Sequence, residues 1–309
     1  MTTSAYRGRL APSPTGKLHL GTARTSLVAW LAARSAAGSL VLRIEDLDPP
    51  RVIAGAADAL LDDLRWLGLD WDEGPDVGGA YGPYQQSQRS ARYDAALAVL
   101  ERAGHLFRCT CTRAEVQIAS SAPHGDLGPR YPGTCRETPQ RPERPASLRF
   151  RMPSGQPFVD RLHGVQPASE GDDFVVQRSD GLYAYQLAVV VDDLAMGITE
   201  VVRGADLLSS TPRQIAVYRA LDAASPAFVH VPLVLGRDRQ RLAKRHRATA
   251  IADYRAAQLA PERVVAWLAA SLGLAHQGEL VRPHDLVPRF ELARLPLEPT
   301  IVDDELVSG

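Results

Sequence analysis

The chain has 309 residues, enough for a substantial core and most often for two domains; its net charge of −1 and pI near 6.7 do not by themselves point to nucleic acid. It starts without the apolar core of a signal peptide and has no apolar run of membrane-spanning length. Three cysteines, two of them one residue apart, suit a reducing cytoplasm and a metal rather than disulfides.

YRGRLA (6–11) predicts a strand. GTARTSLVAWLAARSAAG (21–38), with Leu27 and Leu31 at helical spacing, predicts a helix closed by Gly38. Between them the loop PSPTGKLHLG (12–21) is stiffened by two prolines, and SLVLRIED (39–46) predicts a second strand. A strand–loop–helix–strand unit of this kind binds phosphates at the helix N-terminus. AGAADALLDDLRWLGL (54–69) carries Leu60, Leu61, Leu64 and Leu67 on one helical face, and QSQRSARYDAALAVLERAG (86–104) predicts another helix. From Phe107 to about Pro145 the chain is poor in apolar residues, rich in Pro and Gly, and holds all three cysteines, the signature of an insertion. SLRFRM, FVDRLHG and DFVVQRS (147–179) predict strands, with a turn at Asp180–Gly181. YAYQLAVVVDDLAMG, ITEVVRG and FVHVPLVLG are expected to return the chain to a buried sheet. Helices at about 210–222, 248–258 and 261–273 and a Pro-rich tail complete an α/β pattern.

The residue types suggest chemistry. His19, at the head of a helix, can donate to a phosphate beside backbone N–H groups, Gly21 allows close approach, and Pro12 and Pro14 hold the loop in place. GRDRQRLAKRHR (236–247) sets six basic residues against one acid. Only two of the 35 basic residues are lysines, so Lys244 in this segment is informative; a compact ammonium suits a mobile phosphate clamp. Arg9, Glu45, Tyr185 and Arg203, each expected at a sheet end, supply cations for two carboxylates and an acceptor for an ammonium. Cys109, Cys111 and Cys135 need a fourth ligand for tetrahedral zinc, and spacing alone offers His124.

RLAPSPTGKLHLGTART, then LRIEDLD (42–48), then YAYQLAVVVDD followed by VVRGADLL occur in one order. Through them the chain resembles the class I glutamyl-tRNA synthetases over almost its whole length. The resemblance implies a Rossmann-like nucleotide-binding domain with an inserted zinc-containing subdomain and a short helical C-terminal part. The boundaries would be 1–106 and 180–258 for the two catalytic halves, 107–179 for the insertion and 259–309 for the tail. It implies that His19-Leu20-Gly21-Thr22 corresponds to the HIGH element and RLAKR (241–245) to the KMSKS loop. There Arg241 replaces the first lysine, Ala243 and Arg245 replace the serines, and Lys244 keeps the second lysine. His19 and Lys244 would be catalytic, and His19, Gly21 and Lys244 would bind ATP with Mg2+. Arg9, Leu10, Ala11, Pro12 and Ser13 would line the glutamate pocket with Tyr185. Glu45 would accept from the α-ammonium, and Arg203 or Arg9 would pair with the side-chain carboxylate. Lys17 is expected to be a surface residue. In place of His124 the resemblance points to Tyr131, in RYPGTC, as the fourth zinc ligand, because some members use Cys-x-Cys, tyrosine and cysteine.

The chain stops soon after FELARLPLEPTIVDDEL (290–306), where a full-length member continues into a helical anticodon-binding region. It is therefore similar to the truncated paralogous family, the glutamyl-Q tRNA(Asp) synthetases. The expected partners are L-glutamate, ATP and tRNA(Asp) bearing queuosine, acting on a cytoplasmic, monomeric ligase that activates glutamate without tRNA. A shortened conventional glutamyl-tRNA synthetase and an inactive tRNA- or protein-binding paralogue are the alternatives.

Overall fold

The computed structural model describes residues 5–119, 130–240, 250–276 and 278–302. The first unit is β1 (Arg7–Leu10), α1 (Leu20–Ser35) and β2 (Ser39–Leu42), with β1 and β2 parallel. The helix closes earlier than Gly38 suggested: Ala37 takes the left-handed conformation, φ 48°. Gly38 is needed for a different reason, since a Cβ there would lie 2.5 Å from the Tyr6 carbonyl oxygen.

Helices α2 (Ala56–Trp66) and α3 (Ser90–Arg102) lead into β3 (Leu106–Cys109) and α4 (Arg113–Ala119). Strands β4 (Ser147–Phe150), β5 (Phe158–Asp160), β6 (Gly164–Gln166) and β7 (Phe174–Gln177) follow. Two sheets share this stretch. β3, β4 and β7 form an antiparallel sheet of their own, whereas the β5–β6 hairpin leaves it and joins the central sheet.

The segment 185–195 is not the strand its apolar run suggested but a helix, α5 (Tyr185–Ala195). A continuous run such as Val189-Val190-Val191 has no period to separate a buried strand from a buried helix. Burial of Leu187 to Val191 on the back of the sheet outweighs the modest helix cost of valine. Tyr185 therefore stands at a helix start rather than at a sheet end.

The chain continues through β8 (Glu200–Gly204), α6 (Thr211–Ala220), β9 (Ala227–Val231) and β10 (Val234–Leu235). Helices α7 (Ile251–Ala256), α8 (Pro261–Ala270) and α9 (Pro283–Leu286) precede β11 (Thr300–Ile301), which pairs in parallel with β10. Four strands run in the order β6-β5-β9-β8, and β8 meets β1 where the Thr199 N–H donates to the Arg7 carbonyl at 2.9 Å. Strand alternation then sorts the core. Leu40, Leu42, Val202 and Val229 face α1, α2 and α8, while Val41, Val201 and Phe228 face α3, α5 and α6. No described helix is long and apolar enough to cross a membrane.

Candidate active site

From β1 the chain crosses to β2 in one direction, and from β8 to β9 in the other. The seam between β1 and β8 is thus a topological switch point, where α/β sheets bind ligands. Arg9 spans it, its Nη1 donating to the Val202 carbonyl at 2.6 Å. The stiff loop after β1 is anchored on both sides: Glu45 N–H donates to the Pro12 carbonyl (3.0 Å) and Ile53 N–H to the Pro14 carbonyl (2.9 Å). His19 is the N-cap of α1, in extended conformation, with its carbonyl accepting from Ala23 N–H at 2.9 Å. No acidic side chain occupies the first turn of α1, so nothing there competes with an anion for the helix end.

Above the seam opens a cavity of about 1130 Å³. Arg9 to Ser13, His19, Gly21, Glu45, Tyr185 and Arg203 all line it, so the structure brings together every described residue expected at the glutamate and ATP sites. Its volume suits an amino acid and a nucleotide together. Lys17 sits on its rim, exposed and paired with Asp253 at 2.6 Å. Lys244 and the RLAKR segment lie outside the described residues, as does His124.

Behind the pocket lies a buried charge cluster. Arg43 donates to Asp193 (2.7 Å) and Glu45 (2.9 Å), and Arg89 donates to Asp192 (2.5 Å). Burial raises the Glu45 carboxyl above the ordinary range, and Arg43 only partly counters it. Burial also raises Tyr185 and lowers Arg203. Arg203 donates from Nε to His230 Nε2 (3.0 Å), from Nη1 to Gln214 Oε1 (2.7 Å) and from Nη2 to Thr211 Oγ1 (2.8 Å). Its Nη1 is 3.5 Å from the Tyr185 hydroxyl.

Sequence reasoning missed this supporting set, because His230, Gln214 and Thr211 belong to no motif that names them. It also passed over Asp206, within the quoted VVRGADLL, which lines the cavity. The glycine at 204 was its signal: a Cβ there would collide with the Asp206 carboxylate.

The cysteines converge at the end of β3. The sulfurs of Cys109, Cys111 and Cys135 lie within 4.8 Å of one another, with Cys111 and Cys135 3.6 Å apart. The Tyr131 hydroxyl is 3.4 Å from Cys109 Sγ and accepts from Cys135 N–H at 2.7 Å. A tetrahedral ion with metal–sulfur bonds of about 2.3 Å separates its sulfurs by about 3.8 Å, so the donor set fits a metal. Burial and the neighbouring thiols push the Cys111 thiol up, so a full set of thiolates calls for a cation between them.

Residues 5–307 match the sequence model of the family described as "tRNA synthetases class I (E and Q), catalytic domain". A protein of Symbiobacterium thermophilum named glutamyl-Q tRNA(Asp) synthetase is 54% identical, the match covering 98% of this chain and 97% of that protein. A glutamate–tRNA ligase of Anaeromyxobacter sp. is 46% identical over 92% of this chain but only 61% of its own length. Among solved structures, a glutamate tRNA ligase from Elizabethkingia meningosepticum in complex with its amino acid superposes with a TM-score of 0.85 at 28% identity, covering 98% of this chain and 68% of that one.

Proposed function

Because the chain belongs to the class I tRNA synthetase family for glutamate and glutamine, catalytic domain, we propose that it activates L-glutamate with ATP and transfers it to queuosine in the anticodon of tRNA(Asp). The observation that carries the activation step is the single cavity at the β1–β8 seam, which joins a helix head to a pocket of both charge signs. The acceptor rests on the near full-length match to a relative named for that tRNA.

In the first step an oxygen of the glutamate α-carboxylate attacks the α-phosphorus of ATP. A bond to phosphorus forms, the bond to the pyrophosphate oxygen breaks, and pyrophosphate leaves. Charge builds on the phosphate oxygens, where the α1 amides, His19 and Lys244 supply donors, while Mg2+ accompanies the nucleotide. Arg203 pairs with the glutamate side chain, favouring it over a neutral amide, and Glu45 accepts from the ammonium. Arg9, with its buried Nε lacking a hydrogen-bond partner among the described residues, adds a second cation at the pocket floor. In the second step a hydroxyl of the queuosine cyclopentene ring attacks the adenylate carbonyl, AMP departs, and a glutamyl ester remains.

Cys109, Cys111 and Cys135 would hold zinc, with Tyr131 as the fourth ligand, and the ion would fix the fold of the inserted segment. The enzyme works as a cytoplasmic monomer. Exchange of labelled pyrophosphate into ATP should depend on glutamate and not on tRNA. Labelled glutamate should appear on tRNA(Asp) carrying queuosine, and the label should survive removal of the 3′-terminal adenosine. Label found only on the 3′ end of tRNA(Glu) would overturn the acceptor in favour of a shortened conventional synthetase.

A further inference from the structure

Arg203 has five N–H donors and no acceptor. Four of them are engaged inside the protein: His230, Gln214 and Thr211 accept at 2.7–3.0 Å, and the second N–H of Nη1 meets the Tyr185 hydroxyl at 3.5 Å. One N–H, on Nη2, is left for a ligand, and a carboxylate would gain a second by displacing the long Tyr185 contact. Which of these N–H groups face the pocket depends on how the guanidinium is rotated, and the bond to Nε helps fix that rotation.

The acceptor of that bond has its own support. Because Arg203 Nε can only donate, His230 Nε2 must accept, and the imidazole proton must sit on Nδ1. Nδ1 is 2.6 Å from Asp160 Oδ2, and Asp160 also accepts from the N–H groups of Leu162 (3.0 Å) and His163 (2.8 Å). His163 in turn places its Nε2 2.8 Å from the His230 carbonyl oxygen. Asp160, His230 and Arg203 are at most 4% exposed, so water does not compete for these bonds. Burial favours the neutral imidazole, the form this tautomer requires.

We propose that Asp160 and His230 are positioning residues that fix the tautomer and the guanidinium orientation on which Arg203 depends for selecting a carboxylate side chain. The assignment rests on the glutamate role given to Arg203 above. Its structural consequence is that the β5–β6 hairpin, arising within the inserted stretch, is linked to the pocket residue Arg203 through Asp160 and His230.

Two substitutions at one position separate positioning from packing. In His230→Gln the carboxamide oxygen can still accept from Arg203. In His230→Asn the side chain can still donate toward Asp160 but falls short of Arg203. Glutamate-dependent pyrophosphate exchange should show His230→Asn with KM for glutamate raised about ten- to a hundredfold, the loss of one charge-assisted hydrogen bond. KM for ATP should be unchanged, the preference for glutamate over glutamine reduced, and His230→Gln should recover most of the affinity. Asp160→Asn should raise KM for glutamate in the same way and carries the test if His230→Asn does not fold. Equal damage to the glutamate and ATP constants in these variants, or no rescue by glutamine, would overturn the proposal. Arg203→Ala distinguishes the two levels. If it leaves KM for glutamate unchanged, the role of Arg203 itself falls; if it is impaired while folded His230→Asn and Asp160→Asn are normal, only the positioning pair falls.

Discussion

Arg43 and Asp193 face each other at 2.7 Å with 0% and 3% of their side chains exposed, one joint of a cluster that also ties Arg43 to Glu45. Three cations, Arg9, Arg43 and Arg89, stand against three carboxylates, Glu45, Asp192 and Asp193, in a cluster that runs from the pocket lining to the core behind it. Removing one partner leaves a buried charge without compensation. Arg43→Met should therefore lower unfolding free energy by about 3–5 kcal/mol. Denaturant titration measures it, and a change below about 1 kcal/mol, typical of an exposed pair, would contradict the balance described.

Glu45 gives a pH dependence. Its carboxyl is raised by burial, so it takes up a proton at higher pH than an ordinary glutamate. The protonated form pairs poorly with an ammonium. KM for glutamate should accordingly rise as pH falls toward the raised value, while KM for ATP stays level. Glu45→Gln, which mimics the acid form, should hold KM for glutamate high at every pH and erase that limb. A wild-type profile flat down to the usual carboxylate range would show that the carboxylate is not the ammonium acceptor.

Lys244 is assigned from its sequence position alone. Lys244→Ala should cost about 10²–10³-fold in glutamate-dependent exchange, the usual effect of losing one donor to developing charge. The far-ultraviolet spectrum and melting temperature should not move. A folded mutant with near-normal exchange would remove Lys244 from the chemistry.

The cysteine cluster should carry about one zinc per chain, with three sulfurs and one oxygen in its shell. X-ray absorption reads the shell directly. A nitrogen in place of oxygen would favour His124 over Tyr131, and no metal would leave only structural cysteines. Chelation should lower thermal stability before it lowers exchange, because the sulfurs lie away from the cavity lining.

How far the molecule could be read from sequence follows the range of each interaction. The β1–α1–β2 unit was legible because its turn chemistry and apolar spacing are local: Pro12, Pro14, His19 and the Leu27/Leu31 pair fall within twenty residues. The helix at 185–195 was not, since its valines carry no period. The support behind Arg203 was not either. His230 lies 27 residues from Arg203 and 70 from Asp160, on strands that only the folded sheet makes neighbours. The residues that line the cavity were visible through their motifs; what holds them still was invisible, because hydrogen-bond partners of a buried arginine follow no sequence spacing.

The strand pair β10–β11 has a consequence for synthesis of the protein. Val234, in the cavity wall, belongs to a strand whose parallel partner is Thr300–Ile301. Arg24 of α1 donates both to Thr300 and to the Pro232 carbonyl, so three distant stretches of chain meet at one guanidinium. During synthesis the first helix emerges early, but this wall of the pocket gains β11 only once residue 301 is free to pair. The wall is therefore completed after the sheet it stands on. A nascent chain stalled before residue 300 should hold a sheet already formed and a pocket still missing one wall support.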